Sequence, residues 1–207
     1  MTFFFDKSFI GTGGEMTKKA IGITVVLISL IMAVPLSAKG PGAGKNGQSP
    51  GALTEEEIGH ITYIREEEKL ARDVYLTLND SYQASIFENI SESEQRHMDA
   101  VKRLIDKYGL EDPVKDDTVG IFTNPDFTIL YEALVDKGEK SYCDALHVGF
   151  EIEVLDIEDI EIALNDEIAR DVNRVFNNLL NGSYNHLNAF TSQYQANNCK
   201  PEFQPEF

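Results

Sequence analysis

The segment Ser91-Glu92-Ser93-Glu94-Gln95-Arg96-His97-Met98 sets a carboxylate and an imidazole three residues apart within a stretch of helical periodicity. At that spacing both side chains leave one face of a helix and reach toward one point. Ile86, Ile90, Glu94, His97, Val101, Leu104 and Tyr108 fall on a single stripe, so the pair occupies core positions. A carboxylate buried among aliphatic side chains is costly unless a cation meets it, and in a helical bundle that cation is commonly a metal ion. A solvated glutamate beside a hydrogen-bonded core histidine is the plainer reading of any single Glu-x-x-His. The remaining helices decide between the two.

Upstream, Thr54-Glu55-Glu56-Glu57 is a capping box, and it opens a helix expected to run to about Asn79. Its inward face is Ile61, Ile64, Glu68, Ala71, Tyr75 and Leu78. Three successive helical residues sweep about 200°, so Glu66, Glu67 and Glu68 cannot all point to water. Glu68 holds the stripe position, with Glu67 as the fallback. Asn79-Asp80-Ser81 predicts the turn, and Gly109 closes a second helix ending at Tyr108. Counted from that turn, Glu68 on one side and Glu94 and His97 on the other come level in an antiparallel hairpin.

A connection from Leu110 leads to Asn124-Pro125, a cap and first turn for a short crossover helix reaching Lys137 and ending at Gly138. Ser141 caps a third long helix, from Tyr142 to about Ala163. It shares Ala145, Gly149, Ile152, Glu153, Asp156, Ile160 and Ala163 on one face, with His147, Glu151 and Glu158 turned to solvent. The fourth starts after Asn165-Asp166, as late as Asp171, with Val172, Val175, Leu179, Gly182 or Ser183, His186 and Phe190 inward. His186 is either a ligand or a satisfied core histidine; matching its depth to Glu153 or Asp156 needs a break centred near residue 170. The expected architecture is all-α: an antiparallel four-helix bundle over residues 53–196, with a short extra helix in the crossover and a tail at 197–207. Cys143 and Cys199 then lie at one end of the bundle, where a disulfide is expected.

The first residues differ from these. Lys18-Lys19, the apolar run Ala20 to Leu36 and the small pair Ser37-Ala38 follow the order of a secretory signal over residues 1–38, with Met16 as a candidate start. An uncleaved membrane anchor is the alternative, and the only membrane attachment expected. Residues 39–52, with five Gly and two Pro, form a linker. The expected location is therefore extracellular, periplasmic or at the cell surface. Net charge is -17; Lys7, Lys18 and Lys19 against Asp6 and Glu15 make the leader +1, so cleavage leaves -18. So acidic a chain lacks the clustered cations that nucleic acid requires. Two cysteines are too few for an iron-sulfur or rubredoxin-type centre. No phosphate-binding glycine loop or Ser-His-Asp order is present.

With those residues placed, the chain resembles the ferritin-like superfamily. Glu68, Ala71 and Tyr75, with Arg72 between, are similar to the first helix of rubrerythrins, Glu94-Gln95-Arg96-His97 to the second, and Gly149 to Glu153 to the third. Glu66 to Tyr75, Ser93 to Met98, Val148 to Ile157 and Gly182 to Phe190 look more closely like domain of unknown function 2202, grouped with ferritin-like folds. The resemblance spans about Leu53 to Phe190. It implies a non-haem di-metal centre of iron or manganese, with zinc as a substitute, and chemistry on oxygen, peroxide or ferrous iron. The implied ligands are Glu68, Glu94, His97, Glu153, Asp156 and His186: Glu94 and Glu153 bridge, Glu68 and Asp156 are terminal, and each imidazole holds one ion. Tyr75 is either an outer donor or relay, or a packed core residue. The pattern departs at Ser183-Tyr184-Asn185-His186, where the di-iron families carry a second Glu-x-x-His. Either Asp156 supplies the missing carboxylate, or the second position is weak or empty and only one metal binds; the alternative function is a non-catalytic binding or structural module whose site holds a single ion or none. A homodimer stays open.

Overall fold

The computed structural model describes residues 52–200, so the expected signal peptide, nearly all of the linker and residues 201–207 lie outside the described residues. Within them are five helices and no strand: α1 (Glu55–Tyr82), α2 (Ser85–Tyr108), α3 (Pro125–Gly138), α4 (Tyr142–Asn165) and α5 (Arg170–Ala196). Among the described residues no helix is long and apolar enough to cross a membrane.

The four long helices pair as two hairpins, α1 with α2 and α4 with α5, joined by the crossover that contains α3. Contacts between the ends fix the directions. His60, near the start of α1, lies 2.8 Å from Asp166 just past α4, whereas Tyr75 farther along α1 reaches Gly149 early in α4. Lys107 and Tyr108 at the end of α2 meet Asp171 at the start of α5. Both cross-pairs are therefore antiparallel. The crossover must travel the length of the bundle, as in ferritin-like topologies.

Local signals account for most boundaries. Thr54 and Glu57 form the capping box, Asn124 caps α3 ahead of Pro125, and Ser141 accepts from the Asp144 N–H. One boundary departs from expectation. Asn79, Asp80 and Ser81 remain helical and the turn comes at Gln83-Ala84, with Gln83 left-handed at φ 48°. Tyr82 explains the extension: its ring packs on Phe87 and Tyr142 and its hydroxyl donates to the Gly138 carbonyl, so tertiary contact outweighs turn propensity. α3 ends at Gly138 as expected, and a Cβ there would lie 2.7 Å from Leu78. α5 starts at Arg170, within the expected limits, although the break at 166–169 is earlier than the depth of His186 required. Side chains tilt toward a helix's N-terminus, which carries the His186 ring back into register.

Two apolar clusters divide the interior. One holds Val74, Leu78, Phe87, Leu146, Ile152 and Phe190; the other holds Ile64, Val101, Ile160, Val172, Phe176 and Leu179. Between them each long helix contributes polar residues, so the bundle has a hydrophilic layer at mid-height with dry packing on either side. At the first cluster's end Cys143 and Cys199 are bonded, with Cα atoms 5.5 Å apart, across 56 residues of sequence. Replacing both by serine is expected to lower stability by about 2–4 kcal/mol through the freed unfolded chain; denaturant titration of the two proteins checks it.

From Ile64 to Tyr75, α1 is buried on every side. Its outward face is covered by the α2–α3 connection: Glu66 accepts from the Thr123 N–H at 2.6 Å, Arg65 donates to Asp112, and Arg72 to Asp117. Lys69 is fully buried, donating to Asp73 at 2.5 Å and to the Thr118 carbonyl, with its ammonium 4.5 Å from the Phe122 ring centre. Charged residues here hold a loop rather than face water.

Candidate metal centre

Six side chains were expected to converge, and all six lie in the mid-height layer. Glu68 of α1, Glu94 and His97 of α2, and Glu153 and His186 of α4 and α5 form two groups that share Glu94. In the first, His97 Nδ1 lies 3.2 Å from Glu68 Oε2 and 2.7 Å from Glu94 Oε2. In the second, His186 Nδ1 lies 2.7 Å from Glu94 Oε1 and 3.4 Å from Glu153 Oε2. Within each group the ligand atoms are all within 4.8 Å of one another. The imidazoles stack at 5.5 Å between centroids. Glu94 therefore presents one oxygen to each group, the placement of a bridging carboxylate.

Asp156 is buried beside them but belongs to neither group; Ser183 donates to its Oδ2, and its Oδ1 has no hydrogen-bond partner. The serine standing where di-iron families carry a glutamate thus holds the carboxylate that was expected to replace it. Tyr75 combines both roles left open for it: its ring packs against Phe190 at 5.2 Å, and its hydroxyl donates to Glu153 at 2.6 Å. That bond orients Glu153 and leaves its other oxygen for the centre.

Burial works against charge throughout. It pushes Glu68 and Glu153 up to about 7, and Asp156 well above the usual carboxylate range. Glu94 departs the other way: despite burial, His186 and His97 hold it down to about 2. Against the same desolvation, Glu68 and Glu94 raise His97 to about 11, and Glu153 and Glu94 raise His186 to about 10. Without a metal ion, then, the centre is held by two imidazolium rings around one carboxylate.

Several atoms are left over by that arrangement. Glu68 Oε1, Glu94 Oε1, Asp156 Oδ1 and His186 Nδ1 are buried without a hydrogen-bond partner; the 2.7 Å approach of His186 to Glu94 lacks the alignment of a hydrogen bond. An unsatisfied buried polar atom costs about 1–3 kcal/mol. Carboxylate oxygens and imidazole nitrogens orphaned at one depth fit hard to borderline divalent cations.

The pH dependence of the metal-free fold follows. Carboxyls raised from 4.5 to about 7 favour folding while protonated, and that contribution is lost as pH rises from 4.5 through 7. The raised histidines contribute fully below 6.5 and lose their contribution by about 10 to 11. Glu94 contributes above 4.5 and loses it toward 2. Chelator-treated protein should therefore melt highest at or just below pH 4.5, whereas added Mn2+ should raise the melting temperature more near pH 8 than near pH 5, because ligands must shed protons. Equal Mn2+ effects at both pH values would contradict this.

Glycine also shapes the centre. A Cβ on Gly182 would lie 2.5 Å from His97 Nε2 and Cε1, and one on Gly149 would lie 2.3 Å from the Phe190 ring. The sequence marked Gly182 only as a stripe alternative to Ser183; its role as the seat of His97 becomes visible once the helices are packed. Gly182→Ala should lower metal-free stability, because the clash with the His97 ring disturbs its ion pairs with Glu68 and Glu94 and outweighs the up to about 1 kcal/mol that helix propensity adds. The same change displaces His97 and should weaken ion binding by roughly 10–100-fold. Melting and Mn2+ titration of the variant test the two losses.

Residues 57–205 match the model of an uncharacterized protein domain, DUF2202. The chain belongs to the DUF2202 family. It is 50% identical over 155 residues to uncharacterized protein MJ0754 of Methanocaldococcus jannaschii, a match covering 75% of this chain and 83% of that one. A crystal structure of hypothetical protein MJ0754 from Methanococcus jannaschii superposes with a TM-score of 0.70 at 46% identity, covering 81% of this chain and 91% of the other. A DUF305 fragment from Deinococcus radiodurans shares the fold at 12% identity and a TM-score of 0.52, over 70% and 98% of the respective chains. In this DUF2202 chain the groups described above, and the four long helices apart from the first two residues of α1, fall inside the matched span.

Proposed function

We propose that this DUF2202 protein holds two divalent ions, iron or manganese, between its four long helices, and acts outside the cytoplasm on oxygen, peroxide or ferrous iron. The observation that carries the reading is Glu94, whose two oxygens face two separate ligand groups. A pair of ions so placed shares a small substrate between them and supplies the redox chemistry. The chain's own residues do the rest. Glu68 and His97 fill one side, Glu153 and His186 the other, and Tyr75 and Gly182 fix the orientation of Glu153 and His97. The apolar clusters above and below limit water. Zinc suits the same atoms and would compete. The extracytoplasmic placement rests on the order of residues 18–38.

Asp156 favours a second reading, retention of an ion without turnover, because Ser183 occupies its Oδ2 and the residue stands outside both ligand groups. Elemental analysis of untagged protein, with oxygen and peroxide consumption alongside, separates the cases. Two ions per chain with consumption support the first, bound ions without consumption support the second, and metal-free protein that takes up none on titration defeats both.

A further inference from the structure

The ligands of the centre are not sealed equally. The side chains of His97 and His186 are 13% and 11% exposed, whereas those of Glu68, Glu94 and Glu153 are 1–3% exposed. The two rings stack across the seam between α2 and α5, with Gly182 of α5 close against His97. The other side is covered, since the α2–α3 connection lies over α1, and α3 packs against α1 and α4. Water therefore meets the centre along the α2–α5 seam, with the imidazoles as the outer wall and the carboxylates behind them.

A groove of about 290 Å3 lies in the same seam. Ile86 and Ile90 of α2 and Ala189 of α5 form its floor, and exposed Asn89, Ser192 and Gln193 form its rim. Ile90 stands one turn before Glu94 and Ala189 about one turn after His186, so the groove ends a single helical turn from the residues that join the two ligand groups. No residue lining it carries a charge, in a chain where 26% of residues do. Its volume is at the lower limit for a ligand pocket, which suits a molecule of few atoms.

Such walls select by charge. A hydrated divalent ion is drawn by carboxylates, and losing its water beside Ile86 and Ile90 is costly. A small uncharged molecule meets neither condition. The isoleucine floor accepts dioxygen, and the amides and hydroxyl of the rim can hydrogen-bond hydrogen peroxide.

We propose that the α2–α5 groove is the entrance to the centre for a small uncharged oxidant, dioxygen or hydrogen peroxide, and that metal ions enter elsewhere. Its role as an entrance rests on the two-ion reading of the centre; its capacity for dioxygen does not.

Methyl relaxation of the chelator-treated chain under oxygen pressure reads the groove directly, because dioxygen is paramagnetic. Ile86 and Ile90, 9% and 5% exposed, should relax faster than Ile157, which is 8% exposed on α4. Equal enhancement at all three would overturn the groove as a dioxygen site. The entrance is tested on the Fe2+-loaded chain with nitric oxide as the uncharged probe, followed by absorbance after rapid mixing. Ala189→Trp fills the groove without replacing a ligand, and Leu155→Trp on the solvent face of α4 is the control. Nitric oxide should bind roughly tenfold more slowly or worse in Ala189→Trp, with Fe2+ content and uptake rate as in the control. Ser192→Trp, at the exposed rim, repeats the measurement should Ala189→Trp disturb folding. Where the chain consumes oxidant, dioxygen and peroxide assays identify the one that the filled groove slows. Nitric oxide binding at the control rate, slowing of neither oxidant, or slowed Fe2+ uptake would each overturn the entrance. A chain that takes up no Fe2+ removes the centre instead, and methyl relaxation still decides the groove.

Discussion

Replacing Glu94 by alanine is expected to remove both central ions in one step, although the substitution touches a single helix. Each ligand group closes through this residue: Oε2 sits 2.7 Å from His97 and Oε1 2.7 Å from His186. Without it, each group retains one carboxylate and one imidazole, too few donors to hold a divalent ion against water. Glu68→Ala and Glu153→Ala, by contrast, should each lose one ion and keep the other. The stability readout is equally separable. An ion present at a hundredfold excess over its dissociation constant stabilises the fold by about 2.7 kcal/mol. Wild type should thus lose that amount per site on chelation, while Glu94→Ala should melt alike with and without chelator at the centre's saturating concentrations. Metal content and paired melts decide it, and retention of both ions by Glu94→Ala would remove the basis for a bridging role.

The same residues show how much of the centre could be read before any packing was known. Glu94 and His97 were legible because a helix places residues three apart on one face, and the flanking Ile90 and Val101 identify that face as buried. Glu153 was legible for the same reason, between Gly149 and Ile160. Helical period is a local property, and a single stripe defines it. That Glu66, Glu67 and Glu68 are all buried was not legible: an amphipathic reading allows one buried face, but α1 is enclosed on all sides from residue 64 to 75. What encloses it is a connection of 109–124, whose path no periodicity encodes. Lys69 is the clearest case, since nothing local distinguishes it from a surface lysine, yet it is fully buried. Gly182 belongs with it, because the need for a missing Cβ arises from a ring on α2, remote in sequence. The turn at Gln83 shifted for a related reason, Tyr82 finding partners on α2, α3 and α4.

That enclosing connection supplies the other large effect. Asp73 is completely buried and gathers four donors: Lys69 at 2.5 Å, Arg72 through Nε at 2.9 Å and through its terminal nitrogen at 2.7 Å, and the Gly120 N–H at 3.0 Å. Removing one partner of a buried pair strands the other charge, a loss of about 3–5 kcal/mol. Asp73→Ala leaves the Lys69 ammonium with only the Thr118 carbonyl and the Phe122 ring. It also frees the backbone at Gly120. Unfolding in denaturant should show the full loss, and amide exchange should quicken between Thr118 and Thr123 before it does in the helices. Lys69→Met makes the contrast. It keeps much of the volume, and the carboxylate it strands still has Arg72 and Gly120, so the expected loss is smaller than for Asp73→Ala. If the two variants prove equally destabilised, the network acts through packing around Phe122 rather than through charge. The connection would then owe its position to the aromatic contacts of Phe122 with Phe127 and Tyr131.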